Sequence, residues 1–582
     1  MSQGRGVVSD NAVAAAVLFG GLLWGTLWAG AASSTALSGH GWLKPRVAPP
    51  FLALTQPSDP AHGWDSPVGP SWLYWAMTAL ELAMTVAGAL LLRHHTKAGP
   101  EAVGSGMQGT ARPGEIARSA GARRLSRRAE VLRPGLVSPS VNDLGHELGR
   151  AGSRICYASI EDSVVLLGPP RSGKGLHLVI PMILDSPGAV ITTSTRPDNL
   201  TATLRARHRK GPVALFDPQG LARGIPSATR WSPIRGCEDP HIAMVRAKAL
   251  TSGTAAGTTD SNFWQASAEQ AVRCLLHAAA LAGCSPTDLY RWSLSAVHAR
   301  EAAMTLATHP HAATGWHEAL ESITNSDPRQ RDSVWSMVTI AFSAMADPRV
   351  LDALSPAPHE HFDPERFLRQ QGTVYLLGTS TGTTATAGIV GAFVEDVAEA
   401  ARRLAARSPG SRLDPPLALI LDEAANYPLP SLPSLMSEGG GTSISTIIAL
   451  QSLSQARAVW GEHAANAIWD AAIVKVVLGG GSNARDLEDL STLIGQRPES
   501  QTSTSTGPDG RRSTSTSSHQ VPILEPGRLR TLQFGTAVLL LRSARPVVLT
   551  LRPWIKRKDA KTLQAHRLEL EEAMHRAHAT AP

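Results

Sequence analysis

Cysteine is scarce: the 582 residues hold four, Cys156, Cys237, Cys274 and Cys284, and no two stand in a CxxC spacing. That pattern argues against a thiolate zinc module or a disulfide framework and suits a reducing compartment. No internal repeat recurs along the chain. Negative charge is in deficit, with 48 Asp and Glu against 55 Lys and Arg. The resulting net charge of +7 and pI of about 9.4 favour an anionic partner, nucleic acid or a membrane surface, without choosing between them. A chain of this length exceeds the roughly 250 to 300 residues at which a single core stops growing, so at least two folded units are expected.

Charge is absent from one long stretch and nearly absent from another. VAAAVLFGGLLWGTLWAGAA, from Val13 to Ala32, carries none, and SWLYWAMTALELAMTVAGALLL, from Ser71 to Leu92, carries only Glu81. Each suffices to cross a hydrocarbon core of about 30 Å, which takes roughly 20 apolar residues as a helix. Trp72 and Trp75 sit at one end of the second stretch, where amphipathic rings prefer an interface. Arg93, Lys97, Arg112, Arg118, Arg123, Arg124, Arg127 and Arg128 follow, against Glu101 and Glu115. That bias places the following residues in the cytoplasm. A cleaved signal peptide is the rival reading of the first stretch, with Arg5 ahead of it and Ala29-Gly30-Ala31 as the cleavage site; it leaves the orientation unchanged. The basic run after Arg93 reads as a solvated linker lying on anionic lipid or as a DNA contact. Glu81 is a buried-face polar residue or a mark of helix–helix contact between subunits.

Beyond the basic run, short β-rich segments at 163–168, 189–194, 213–217, 373–378, 417–421, 445–450, 473–478, 537–541 and 546–551 alternate with helical patterns at 384–407, 453–470 and 484–494. Apolar strands between amphipathic helices predict a largely parallel sheet covered on both faces. Residues 240–350 lack a convincing strand and contain FWQASAEQAVRCLLHAAALAG, so an all-helical insertion is expected there. PESQTSTSTGPDGRRSTSTSSHQ, at 498–520, is low-complexity polar sequence expected to be a mobile loop, and the charge pattern after Lys556 predicts an exposed helix.

A hydroxyl is missing where a phosphate loop ordinarily has one. Residues 168–175 read GPPRSGKG: Gly168, Pro169, Pro170, Arg171, Ser172, Gly173, Lys174, Gly175. In such a loop backbone N–H groups cradle phosphates, the lysine reaches the outer pair, and a final Ser or Thr holds magnesium. Here the final residue is Gly175, leaving Ser172, Thr192 or an extra water on Mg2+ to replace the hydroxyl. The motif LALILDEAAN places Asp422 and Glu423 at the carboxyl end of a buried strand, where α/β sheets bind ligands. Asp422 suits a magnesium ligand, direct or through water, and Glu423 a general base toward an attacking water. In STIIALQSLSQ, Gln451 follows another apolar strand, from which an amide can sense a γ-phosphate; alone it would read as a capping or surface residue.

With these pieces in this order the sequence resembles the TraG/TraD-like type IV coupling proteins, the membrane-anchored ATPases of conjugation and type IV secretion. The matching residues are the paired N-terminal stretches, GPPRSGKGLHLVIPMIL, FDPQG followed by WSPIRG, FWQASAEQ, LALILDEAAN, IIALQSLSQ, KVVLGG and DLEDLSTLIGQR. The family's loop often reads GKG, so the resemblance implies that Gly175 is compatible with ATP hydrolysis. It further implies a RecA-like P-loop NTPase core with an all-α insertion, preceded by two transmembrane helices, using ATP and Mg2+. By position Lys174 matches the loop lysine, Asp422 and Glu423 the acidic pair and Gln451 the sensor.

The implied partners are relaxase-bound, single-stranded DNA, the secretion-channel proteins, the membrane and further copies of the chain in a hexamer. The expected layout is an anchor at 1–95 with spans at about 12–32 and 71–92, both the N-terminus and the ATPase domain being cytoplasmic. A basic juxtamembrane linker follows at 96–150. The nucleotide-binding domain takes 151–239 and 351–555, the insertion 240–350, the mobile loop 498–520 and the terminal helix 556–582.

Two departures from the family stand out. Many members carry DPKGE after the second strand, where this chain has STRPDN, with Arg196 and Asp198 keeping polar character. No arginine lies between the acidic pair and Gln451, which leaves Arg457 or Arg485 as sources of a trans arginine or as ordinary helix-surface residues. In SDPRQRDSVW, Arg329 and Arg331 beside Trp335 read as a nucleic-acid contact. The competing reading is a helix start, with Asp327 as cap and Pro328 in the first turn. Beside a DNA-moving ATPase stand two alternatives, the same motor dedicated to protein substrates and a nucleotide-binding membrane scaffold without turnover. No separate C-terminal helix-turn-helix module for reading a chromosome is seen.

Overall fold

The computed structural model describes residues 10–62, 64, 67–96, 107–252, 261–378, 384–506 and 512–579. The chain divides into two compact units, Met1–Ala102 and Val103–Pro582.

In the first unit both apolar stretches are helical, at Asp10–Leu37 and Ser71–Thr96, and a short helix, Ala48–Thr55, lies between them in sequence. The two long helices touch where side chains are small: a Cβ on Gly30 would stand 2.2 Å from Thr78 Oγ1. Ser33 Oγ donates to Glu81 Oε1 at 3.5 Å, so Glu81 serves contact between the helices of one chain. Among the described residues, no helix is long and apolar enough to cross a membrane.

The second unit is built on one sheet. Its strands are β1 Gly145–Ala151, β2 Arg154–Ser159, β3 Val164–Leu167, β4 Val190–Ser194, β5 Val213–Phe216, β6 Thr373–Leu377, β7 Leu417–Leu421, β8 Ile444–Leu450, β9 Val474–Leu478, β12 Thr536–Leu541 and β13 Val547–Thr550; β10 Gln496–Thr506 and β11 Arg512–Pro522 pair apart from it. The sheet order is β2-β1-β13-β12-β9-β3-β8-β7-β4-β6-β5. From β9 to β5 every pair is parallel, and from β9 to β2 every pair is antiparallel. Each residue of β3, β7 and β8 is buried, as parallel strands covered on both faces require. Alternation sends Val164 and Leu166 into a cluster with Leu178, Met182 and Ile183. Val165 and Leu167 enter another, with Ile389 and Phe393 of helix Thr384–Ala406.

All the predicted strands form, but the region expected to be a basic linker is folded. Residues 97–106 lie outside the described ones. From there helices Pro113–Ser119, Ala122–Ser126, Ala129–Leu132 and Val141–Leu144 lead into β1. Leu125, Leu132 and Leu144 are buried with Tyr157 and Ile160, and Arg133 Nε donates to Asp414 Oδ1 at 2.5 Å. Arg123 and Arg127 stay on the surface while the leucines between them supply a core, each fully buried one contributing about 1.5–3 kcal/mol.

Two further expectations change. The polar segment 498–520 pairs as an antiparallel hairpin, with Gln496 opposite Pro522 and Thr502 opposite Thr516; residues 507–511 lie outside the described ones. Thr at every second position favours an extended, paired backbone even where nothing is buried. The terminal helix, Ala560–Ala579, is not wholly exposed. Leu563 and Leu570 are buried, clustering with Ala202 and with Leu200 and Leu204 of helix Asp198–His208.

Residues 240–350 are helical where described. Their first helix, Pro240–Leu250, is clamped to the sheet domain by buried Asp396, which accepts from Arg246 Nη2 at 2.7 Å and from Trp231 Nε1 at 2.9 Å.

Candidate functional site

Three adjacent strands, β3, β8 and β7, end side by side, and each feeds one part of the site. The phosphate loop follows β3, Gln451 follows β8, and Asp422 and Glu423 follow β7. Gly168 N donates to Leu450 O at 3.1 Å, which ties the start of the loop to the residue before Gln451.

The loop's shape depends on two of its glycines. Gly173 sits at φ +91°, where a Cβ would also stand 2.6 Å from His177 Nδ1, and a Cβ on Gly168 would stand 2.8 Å from Ser172 Oγ. Arg171 also has positive φ, 64°, a conformation non-glycine residues adopt rarely and mostly where the surroundings impose it. The chain then enters a helix whose first turn, Gly175–Val179, is of π type before α geometry resumes at Ile180–Asp185. Pro181 accounts for the wide turn: it has no N–H and its ring crowds the carbonyl four residues back.

Lys174 is buried, and its Nζ donates to Gly168 O and to Pro169 O, the latter at 3.0 Å. Burial lowers its pKa, against which the Asp422 and Glu423 carboxylates pull it back up. Burial, then the neighbouring Glu423 charge, pushes Asp422 up to about 6. Asn199 Nδ2 donates to Asp422 Oδ2 at 3.3 Å, and Thr193 Oγ1 donates to Asp422 O at 2.9 Å. Glu423 adopts φ 52°, and its Oε2 accepts from Thr195 Oγ1 at 2.5 Å and from Asn426 Nδ2 at 3.2 Å. The acidic pair is thereby held from β4 and from the turn after β7.

Ser172 Oγ and Thr192 Oγ1, the two hydroxyls considered as replacements for the absent one, are both buried without a hydrogen-bond partner among the described residues. Unpaired buried hydroxyls cost free energy, which marks this as a place that expects a polar guest. A Cβ on Gly175 meets nothing within 4 Å, so the missing side chain is not excluded by packing. A glycine-shaped loop with an unpaired Ser172 hydroxyl, one buried lysine and an acidic pair are groups suited to a nucleotide phosphate with Mg2+.

Other residues singled out in the sequence lie elsewhere. Arg457 is engaged by Asp486 at 3.1 Å and Asp489 at 3.6 Å, which disfavours it as a trans arginine. Arg485 is 72% exposed and 3.9 Å from Glu462. Arg196 pairs with Asp198 at 3.4 Å and is exposed just beyond Thr195. Asp327 does cap its helix, accepting from Arg329 N at 3.0 Å, while Arg331 Nε donates to Asp332 at 3.1 Å. Trp335 is buried and cannot stack on a base. Sequence reading missed Thr195, Asn199 and Asn426. The first two lie just past β4, and nothing in the sequence says that β4 adjoins β7.

Residues 416–534 match the family model described as the TraM recognition site of TraD and TraG. No curated protein matches the chain. Among solved structures, the unbound monoclinic form of the bacterial conjugative coupling protein TrwBdeltaN70 superposes with a TM-score of 0.55 at 18% identity, over 78% of this chain and 97% of that one. The plasmid coupling protein TrwB in complex with ADP and Mg2+ gives 0.53 at 17% identity, over 75% and 93%. Its complex with the non-hydrolysable ATP analogue ADPNP gives 0.53 at 17%, over 78% and 96%. The matched segment spans β7, β8, β9 and the loop carrying the acidic pair, so in that segment the chain is similar to the TraD and TraG coupling proteins, and its fold is that of the TrwB structures.

Proposed function

We propose that the site binds ATP with Mg2+ and hydrolyses it, and that the chain uses the turnover to move DNA toward a type IV secretion channel as a membrane-anchored coupling ATPase. The observation that carries the reading is the convergence of Lys174, Gln451, Asp422 and Glu423 at the ends of three neighbouring strands. Lys174 takes the outer phosphates in exchange for its own loop carbonyls, a charge-assisted bond that favours the cationic form. Asp422, with Ser172 of the loop or Thr192 of β4, would hold Mg2+, and the ion would supply charge neutralisation at the phosphates. Glu423 accepts a proton from the attacking water; the Thr195 and Asn426 hydrogen bonds fix which oxygen is free to do so. Gln451 lies where its amide can report the γ-phosphate to the helix that follows, Leu453–Trp460.

Membrane anchoring is supported by the uncharged run from Val13 to Ala32 and by the helical pairing of the two N-terminal stretches. The cytoplasmic side of the second unit is supported by the arginines after Leu92. The likeness to a conjugative coupling protein supports a part in conjugation; DNA as the cargo and relaxase as the partner that brings it are our reading of that part. We take the working form to be a hexameric ring that completes each site between neighbours. Turnover per subunit should therefore rise with protein concentration, and a constant value from dilute to assembled protein would contradict this. Binding of a fluorescent ATP analogue by full-length protein, with Mg2+ and with EDTA, tests the site itself. Mg2+-dependent binding lost in Lys174→Ala is expected; equal binding by both proteins would overturn it.

A further inference from the structure

At the opposite end of the strands from the phosphate loop, a cavity of about 1230 Å³ opens between residues 107–116, the β1–β2 turn, the chain entering β9, and the segment after β12. Its charged lining is one-sided: Arg112, Arg154, Lys475, Arg497, Arg542 and Arg545 face it, and Asp470 is the acidic residue among them. Arg545 is paired with Glu115 and Arg542 with buried Asp162, whereas Arg112 and Arg154 are exposed without an ion pair among the described residues. Arg497 pairs with Glu499 at 2.9 Å, while its Nε is buried with no hydrogen-bond partner among the described residues. Lys475 gives its Nζ to Ala472 O at 2.6 Å, and burial lowers its pKa. A concave surface with several unneutralised cations focuses field on an anion and leaves donors waiting for acceptors.

The rest of the lining selects among anions. Ile116, Leu493, Ile523 and Leu540 give the cavity an apolar wall, and no aromatic side chain lines it among the described residues. Single-stranded nucleic acid and nucleotides draw much of their affinity from base stacking on aromatics, which this wall cannot offer. A phosphate joined to a glycerol and acyl stem matches a cationic rim beside an apolar wall.

We propose that this cavity binds the headgroup of an anionic phospholipid. The choice of lipid rests on the proposed membrane anchor; the anion site rests on the cavity alone. Binding would hold the second unit at the bilayer surface through a defined pocket, beyond the general attraction of a basic segment.

The test is calorimetric titration of full-length protein in neutral detergent with dioctanoyl phosphatidylglycerol, dioctanoyl phosphatidylcholine, inorganic phosphate and a single-stranded oligonucleotide. Phosphatidylglycerol should bind at least about ten-fold tighter than phosphatidylcholine, and Arg112→Glu with Arg154→Glu should weaken it by at least about ten-fold, since each cation near an anionic headgroup is worth about 1 kcal/mol. Arg118→Glu with Arg127→Glu, the same charge change outside the cavity, should leave affinity within about two-fold. Arg154→Gln, which breaks no ion pair, gives a partial loss and guards against misfolding of the double variant. Equal loss in both double variants, inorganic phosphate as tight as phosphatidylglycerol, or displacement of the lipid by the oligonucleotide would each overturn the proposal. Sedimentation of the same protein without detergent tests the anchor separately, because these short-chain lipids reach the cavity whether or not the helices insert.

Discussion

Replacing Asp422 by Asn should abolish ATP hydrolysis and at the same time make the protein harder to unfold. Asp422 is buried and its pKa rises from 3.8 to about 6. The folded state thus holds its proton over a range in which the unfolded chain releases it. The penalty begins as pH rises past the unfolded value near 4 and is complete above about 6, reaching roughly 3 kcal/mol at about 1.4 kcal/mol per pKa unit. Asn keeps the acceptor for Asn199 but cannot accept from both Asn199 and Glu423 N, a loss of about 1 kcal/mol. The net expectation is a gain of about 2 kcal/mol at pH 8, shrinking toward zero or below at pH 4. Thermal melting of both proteins across that range, without nucleotide, reads it directly. A variant that melts lower than the parent at pH 8, or a difference that does not depend on pH, would refute the claim that this carboxylate is held in place against its own desolvation.

Three other substitutions test separate parts of the account. Gly175→Ser restores the usual loop hydroxyl in open space; it should retain activity and bind Mg2+ at least as tightly, and loss of nucleotide binding would show that the glycine is required. Thr195→Val removes the hydroxyl that orients Glu423; kcat should fall by about ten-fold with KM little changed, part of the 10²–10⁴-fold typical of general-base catalysis, and an unchanged kcat would remove Thr195 from the site. Arg207→Met leaves Gly188 O and Thr373 Oγ1 without their buried donor and Ser186 O with Lys210 alone; at about 1–3 kcal/mol for each unsatisfied buried group it should cost at least about 2 kcal/mol in denaturant unfolding, and a cost under about 1 kcal/mol would show that water replaces it.

The strands of the parallel sheet were legible because each is a short apolar run with turn residues on either side, and the insertion because its apolar spacing is helical. The candidate residues Lys174, Asp422, Glu423 and Gln451 could be singled out because each follows an apolar strand in a recognisable motif. The supporting residues could not: Thr195 and Asn199 act on the acidic pair only because β4 packs beside β7, and lateral order in a sheet leaves no local trace. β1 and β2 were hidden for a different reason. HELGRA and RICYAS mix charges into strands at the antiparallel edge, so the long apolar run that marked β3 or β7 is missing. The hairpin at 496–522 inverted the usual cue, since polarity suggested a loop while alternating Thr and Ser suited pairing.

The most direct test of the central claim is ATP hydrolysis by the full-length protein in detergent, with and without single-stranded DNA, beside Lys174→Ala and Glu423→Gln. The account predicts Mg2+-dependent hydrolysis that DNA accelerates and that both substitutions abolish, with nucleotide binding retained in Glu423→Gln. Binding without turnover in the unmodified protein, at high concentration and with DNA present, would contradict it and leave a nucleotide-binding scaffold in its place.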